Sequence, residues 1–353
     1  MTDERLEMIE YEKVSAMKAP FPWFGGKSKV AGVVWERFGN VPNYVEPFFG
    51  SGAVCLARPR HHWNATSIRV ETVNDLDGYL ANFWRAIKHA PNETAEHACY
   101  PVSEVDILAR HKWLLTEGAA RLELLNMREN PDAYDAKVAG WWVWGLACWL
   151  GGGWCVKEAQ QLPYLGNAGR GVIKRLPHLG DAGQGVIKKL PYLGDAGRGV
   201  IKRLPYLGDA GRGDLSAGLK EWFSELSERF MRVRIAHGDW SRVLSKAVTI
   251  NHGVTAVFLD PPYSSKEHSV EYSAGGGDVA ADVRAWAIAN GDNPQYRIAL
   301  CGYEGEHEMP GNWEVFEWKT GGGFGNLGCS RGKANSYRER IWFSPYCEQA
   351  GLF

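Results

Sequence analysis

Apolar positions along the chain follow two spacings that predict strands and helices in alternation. Short apolar or β-branched runs are typical of buried strands. They are Tyr44–Glu46, Val70–Val73, Val233–Ala236, Ala256–Leu259, Arg297–Leu300, Trp313–Glu317 and Arg340–Phe343. Helical spacing occupies Ser28–Phe38, Gly78–Lys88, Leu215–Phe230 and Val279–Ala289. This alternation predicts an α/β fold built on one sheet.

The middle of the chain has a different pattern. It begins with a tryptophan-rich part of helical spacing, 112–125 and 136–150, and continues into internal repeats. We therefore expect residues 18–90 and 231–346 to form one catalytic sheet domain. Residues 91–230 are expected to form a mainly helical, repeat-containing domain inserted into it.

The repeats cover residues 162–213 and begin with Leu-Pro-Tyr-Leu-Gly or Leu-Pro-His-Leu-Gly at 162, 176, 190 and 204. This segment holds nine basic residues against three acids, a charge of +6, while the rest of the chain carries −7. Cations interleaved with an aromatic ring suit phosphate contact and base stacking. A duplicated insertion that binds nothing is the other interpretation. The overall charge of −1 therefore excludes no polyanionic partner.

Composition excludes several protein classes. A hydrophobic fraction of 45% with 12% aromatic residues is globular rather than disordered. Seven cysteines without a Cys-x-x-Cys pair fit neither a disulfide scaffold nor a zinc site. The sequence shows no secretory signal and no apolar run long enough to span a bilayer. We expect a cytoplasmic protein that binds no metal and no membrane.

Asp260-Pro261-Pro262-Tyr263 is the strongest candidate for chemistry. It follows the predicted strand Ala256–Leu259, at the end where open α/β sheets bind ligands. An Asp carboxylate and a neighbouring carbonyl provide two acceptors, which suit an exocyclic amino group, and a tyrosine can stack on the ring that carries it. A plain strand-ending proline turn explains the prolines but neither Asp260 nor Tyr263.

Two further strand ends predict a nucleoside cofactor. Gly50 and Gly52 follow the first strand, where the absence of a side chain lets backbone approach a ligand. Cys55 occupies the place of the third glycine of a dinucleotide fingerprint, which disfavours a nicotinamide. Asp75 follows the next strand. Its carboxylate suits ribose hydroxyls as a hydrogen-bond acceptor, or it is the N-cap of the following helix.

Two weaker signals complete the set. Phe21-Pro22-Trp23-Phe24-Gly25-Gly26-Lys27 lacks the first glycine of a phosphate loop. Its aromatic residues and Lys27 suit an adenosine ring and a carboxylate, although Lys27 is equally compatible with a surface helix start. Asp239 is interpreted as a carboxylate near an adenine or as an N-cap.

These segments occur together and in order: FPWFGGK, VEPFFGSGAV, NDLDGYLANFW, HGDW and LDPPY. Together they resemble the Dam-like DNA N6-adenine methyltransferases, especially phage or prophage members, across residues 18–90 and 231–346. The resemblance implies a Rossmann-like sheet that binds S-adenosylmethionine, an inserted target-recognition domain, and methyl transfer to adenine N6 in DNA. The target base is expected to be flipped out of the duplex.

The resemblance also implies roles for single residues. Those for cofactor binding are Trp23, Lys27, Glu46, Gly50, Gly52, Asp75, Asp239 and Asp260. Those for catalysis are Asp260, Pro261 and Tyr263. The repeats have no counterpart in the family's recognition domain, so its target sequence is not transferred. N4-cytosine methylation and a non-catalytic DNA-binding scaffold remain as alternatives.

Overall fold

The chain divides into two compact units. The computed structural model describes residues 17–21, 23, 26–59, 69–130, 132–149, 154–155, 215–262, 279–318 and 338–349. One unit, here the sheet unit, comprises Met1–Ala19, Gly25–Leu76 and Arg232–Phe353. The other, here the helical unit, comprises Pro20–Phe24 and Asp77–Met231.

Strands and helices are numbered in chain order among the described residues. The strands are β1 Asn43–Glu46, β2 Val70–Asp75, β3 Val233–His237, β4 Thr255–Leu259, β5 Tyr296–Tyr303, β6 Glu314–Glu317 and β7 Glu339–Phe343. The helices are α1 Ala31–Phe38, α2 Ala53–Leu56, α3 Gly78–His89, α4 Pro91–Ala98, α5 Glu104–Trp113, α6 Ala119–Leu125, α7 Ala136–Cys148, α8 Leu215–Phe230 and α9 Val279–Gly291. All seven predicted strands are confirmed, with ends that move by a few residues.

The strands of the sheet unit form one sheet in the order β3-β2-β1-β4-β5-β7-β6. The first five strands of that order run parallel, and β7 is antiparallel to both β5 and β6. The chain order reverses between β1 and β4, so the crevice beside their carboxyl ends is the expected ligand site. The α/β prediction is confirmed.

The core of the sheet unit follows from the apolar runs. Every residue of β1, β4 and β7 is buried, as expected for strands covered on both faces. Val257, Ile298 and Leu300 pack in one cluster with Val283 and Ala287 of α9. The central strands are therefore held in place beneath the residues at their carboxyl ends.

The helical unit has an aromatic core. Trp84 of α3 stacks on Phe230 of α8 with ring centroids 4.6 Å apart. Phe21 packs edge-on against Phe83 and Trp142, at 5.3 Å in each case. Trp144, Trp149 and Trp154 are also buried. The tryptophan cluster formed by Trp141, Trp142, Trp144, Trp149 and Trp154 is therefore mainly core.

Trp141 is the exception within that cluster. It is only partly buried, and its ring lies under the Arg110 guanidinium at 4.9 Å and the Lys137 ammonium at 4.5 Å. A cation above an indole face is attracted by the ring quadrupole. Trp141 is therefore only partly packed into the core and has two cations on its ring.

Two details differ from the predicted pattern. Residues 77–90, predicted with the sheet, belong to the helical unit because α3 packs against α7 and α8. The segment 112–125, predicted to be helical, contains a π-helical turn at Leu114–Gly118. The Tyr79 hydroxyl donates to the Leu114 carbonyl there, at 2.5 Å.

Candidate active site

The candidate site lies at the carboxyl edge of the parallel strands. Glu46 is the last residue of β1, Asp75 is the last of β2, and Asp260 directly follows β4. Parallel strands end at the same edge of a sheet. The sheet thus brings together three carboxylates that are far apart in sequence.

Glu46 is held within the edge rather than exposed on it. It is buried, and its Oε2 accepts a hydrogen bond of 2.7 Å from the Tyr44 hydroxyl. Burial raises the pKa of Glu46 well above its ordinary value, and the charges of Asp260 and Asp75 act in the same direction. The three carboxylates therefore influence one another electrostatically.

The turn after β1 requires its glycines. Gly50 and Gly52 have φ of 50° and 69°, a left-handed region that costs other residues free energy. A Cβ on Gly52 would lie 2.7 Å from Cζ of Phe49. The Gly50 N–H donates to Asp75 Oδ2 at 3.0 Å, which joins the turn to the end of β2.

Asp75 does not cap the next helix. The cap of α3 is Asp77, whose carboxylate accepts from the N–H groups of Tyr79 and Leu80. The N-cap interpretation of Asp75 is therefore wrong, because the carboxylate is bonded to the Gly50 turn instead. Its role with ribose stays a prediction.

Asn74 was missed by the sequence reasoning. Its side chain is buried, and Nδ2 donates to the Pro47 carbonyl at 3.0 Å and the Gly238 carbonyl at 2.9 Å. One amide thus ties the turn after β1 to the turn after β3. A polar residue at the end of an apolar strand was the available signal, because buried polar groups are nearly always bonded.

Asp239 caps the short 3-10 helix Trp240–Val243. Its Oδ1 accepts from the Ser241 N–H at 3.0 Å, so the N-cap interpretation is confirmed. The carboxylate is exposed, which leaves it open to a second partner. Next to it, Trp240 stacks on Phe48 with centroids 6.2 Å apart and an angle of 26°. Both rings are partly exposed and offer a flat apolar surface at this edge.

Asp260 is paired with Lys27. The ammonium lies 2.8 Å from Asp260 Oδ2, and the two side chains are 4% and 22% exposed. Glu339 Oε2, at the start of β7, lies 3.9 Å from the same ammonium. Lys27 therefore contacts the predicted catalytic carboxylate itself. The surface helix start is wrong for Lys27, because its side chain is buried.

The remaining site predictions are Trp23, Pro261 and Tyr263. Trp23 belongs to the helical unit, where it packs against Phe21 and Trp142 at 5.7 and 6.2 Å. Pro261 is buried directly after Asp260. Tyr263 and the repeats 162–213 lie outside the described residues.

The described ranges hold neither a metal-binding group of side chains nor a membrane-spanning helix. No group of three or more His, Cys, Asp or Glu side chains there is arranged to hold a metal ion. No helix among them combines the length and apolarity needed to cross a membrane.

The comparisons with known proteins address the family directly. Residues 23–106, about a quarter of the chain, match the model of the D12 class N6 adenine-specific DNA methyltransferase family. No curated protein matches the chain. The matched residues include the glycine turn, Asp75 and the α3 helix, and the mostly parallel seven-stranded sheet fits a methyltransferase fold. Residues 23–106 are thus similar to the D12 class N6 adenine-specific DNA methyltransferases, and this match supports methylation of adenine N6 in DNA.

Proposed function

We propose that the carboxyl edge of the sheet performs this reaction, with S-adenosylmethionine bound along β1, β2 and β3 and the target adenine beside Asp260. The observation that carries the proposal is the position of Asp260. It directly follows β4 at the strand-order reversal and is partly exposed, while Lys27 anchors one of its oxygens. A carboxylate in that place can accept from an amino group in the crevice.

The residues at the edge fit this cofactor chemically. S-adenosylmethionine supplies a methyl group on a positively charged sulfonium, which carboxylates attract. The carboxylate of Asp75 suits the ribose hydroxyls, and Asp239 with the flat faces of Phe48 and Trp240 suits the adenine. The backbone at Gly50 and Gly52 allows close approach of the methionine part.

Asp260 and the Pro261 carbonyl would act on the amine. The N6 lone pair of adenine is delocalised into the ring, so the amine is a weak nucleophile. Acceptors for both N–H groups favour a tetrahedral nitrogen as positive charge develops in the transition state. Lys27 donates to Asp260 Oδ2 and so orients the carboxylate. Asp260 then accepts the proton that N6 loses.

Lys27 and Trp23 are assigned differently by this proposal. Lys27 supports Asp260 rather than the cofactor, since its ammonium lies on that carboxylate. Trp23, which packs in the aromatic core of the helical unit, keeps its predicted cofactor contact only as a proposal.

The target base must leave the duplex before Asp260 can reach it. Flipping is the general solution for enzymes that act on a base, and Tyr263 is proposed to stack on the extruded adenine. The helical unit with the repeats is proposed as the target-recognition domain. The cytoplasmic location likewise stays a prediction.

Methyl transfer by purified protein tests the proposal. With labelled S-adenosylmethionine and duplex DNA, we expect transfer by the wild type and loss of about 10²-fold or more in Asp260→Ala. Transfer by this variant at the wild-type rate would refute the assignment of Asp260. The family match does not favour N4-cytosine methylation or a non-catalytic scaffold.

The repeats are tested separately through salt. Deleting residues 162–213 removes a charge of +6 and should flatten the dependence of DNA affinity on salt concentration. Fluorescence anisotropy with labelled duplex over a salt series measures this slope. The same slope in both proteins would show that the repeats do not contact phosphates.

A further inference from the structure

The Lys27 ammonium is buried between two carboxylates from distant parts of the chain. Asp260 follows β4 and lies 2.8 Å away, while Glu339 begins β7 and lies 3.9 Å away. Glu339 is itself 4% exposed within a strand whose other residues are all buried. Acidic residues are almost never fully buried without a partner. Glu339 was not identified from the sequence.

The charges around the ammonium keep it protonated. Burial by itself lowers the pKa of Lys27, but Asp260, Cys301 and Glu339 raise it above its ordinary value. Burial keeps the Cys301 thiol neutral by raising its pKa, so the carboxylates supply the negative charge. Lys27 is therefore a cation throughout the working pH range.

The same elements place further titratable groups nearby. Glu46 on β1 acts on Cys301, and burial and Glu339 raise the pKa of Tyr303 on β5. Arg338, just before β7, opposes the effect of Glu339 on Tyr303. Glu339 is therefore one charge in a network whose common cation is Lys27.

Geometry indicates what the second carboxylate does. An ammonium has three donors on a flexible stem and can rotate about a single partner. Glu339 is fixed by the pairing of β7 with β5, opposite Tyr303. A carboxylate fixed on the sheet restricts where the ammonium lies, and thus which Asp260 oxygen it occupies.

We propose that Glu339 is a positioning residue for methyl transfer: it holds Lys27, and Lys27 holds Asp260 with one oxygen directed to the adenine amine. The proposal rests on the proposed role of Asp260. Glu339 lies on the antiparallel strand β7 and would act on the reaction through its ion pair with Lys27 and the ion pair of Lys27 with Asp260, without contacting the substrate.

Single-turnover methyl transfer tests this with Glu339→Gln, which keeps the shape and removes the charge. We expect a rate loss of about tenfold. Glu339→Asp, which keeps the charge, should restore most of that rate.

A double-variant cycle separates positioning from structure. In a Lys27→Met background, Glu339→Gln should change the rate by less than about twofold, since its route of action is already removed. An undiminished loss in that background, or no recovery of rate in Glu339→Asp, would overturn the proposal. Binding of S-adenosylmethionine, measured by calorimetry, should be equal in wild type and Glu339→Gln.

Two controls complete the design. Glu304→Gln removes a charge of the same sign from an exposed partner of Arg340, and it should leave the rate unchanged. Asp260→Ala distinguishes the two levels of the account. Normal transfer by Asp260→Ala contradicts the proposed function, whereas its loss together with normal transfer by Glu339→Gln contradicts only the role of Glu339.

Discussion

Removing Asp260 should lower the stability of the fold as well as the rate. Asp260→Ala takes the nearest anion from an ammonium that is 4% exposed. Leaving one partner of a fully buried pair uncompensated costs about 3–5 kcal/mol. The Asp260 side chain is 22% exposed and Glu339 remains 3.9 Å from the ammonium. We therefore expect a smaller loss of about 1–3 kcal/mol in the free energy of unfolding.

A triple variant shows whether the charge causes that loss. In Lys27→Met/Asp260→Ala/Glu339→Gln the ammonium and the carboxylates at 2.8 and 3.9 Å from it are all replaced by neutral groups, and replacing buried ion pairs by neutral residues is often neutral or stabilising. The triple variant should regain most of the lost stability while its methyl transfer stays absent. Stability and activity would then be separated in one protein.

Urea denaturation followed by circular dichroism measures these differences. The control is Glu348→Gln, which removes an exposed partner of Arg297 and should cost no more than about 1 kcal/mol. A single variant as stable as this control would refute the reasoning. A triple variant no more stable than Asp260→Ala would show that the uncompensated ammonium is not the cause.

Three further predictions concern the carboxyl edge of the sheet. Gly52→Ala should lower the free energy of unfolding by about 1–2 kcal/mol because of its left-handed backbone, and contact with Phe49 adds a further cost. Gly32→Ala, which has open space around it, should not lower the free energy of unfolding. Thermal denaturation of both variants checks this. Glu46→Gln should be more stable than wild type by a margin that grows as pH rises above 4.5. The folded-state pKa of Glu46 is raised, so this carboxyl contributes stability below its unfolded pKa and loses it as pH rises through the folded pKa. Melting temperatures measured across pH test this, and a difference that does not change with pH would contradict it. Asn74→Ala removes the donor that two buried carbonyls share. The variant should therefore bind S-adenosylmethionine about tenfold more weakly, as measured by calorimetry, with an unchanged affinity for DNA. Equal cofactor affinity in the two proteins would show that Asn74 does not shape the site.

The spacing of apolar residues was sufficient to predict the strands and most of the residues at the carboxyl edge of the sheet. The strand Ala256–Leu259 was readable because a buried parallel strand is a continuous apolar run. The ends of the apolar runs then indicated that Asp260, Glu46 and Asp75 lie at or next to the carboxyl ends of strands. Local pattern thus located the carboxylates, because each lies within a residue of a strand end.

Partners across the sheet could not be predicted in the same way. Glu339 reaches Lys27 only because β7 inserts antiparallel between β5 and β6, and no local spacing encodes that pairing. The choice of Asp77 over Asp75 as helix cap depends on one residue of register at the end of β2. The π-helical turn at Leu114–Gly118 likewise interrupts a segment whose helical spacing continues through it.

The most direct test of the central claim is the modified base itself. DNA from cells that lack their own adenine methylation, expressing either the wild type or Asp260→Ala, is digested to nucleosides and measured by mass spectrometry. The account predicts N6-methyladenine with the wild type and none with the variant. N4-methylcytosine, or N6-methyladenine at equal levels with both proteins, would contradict it.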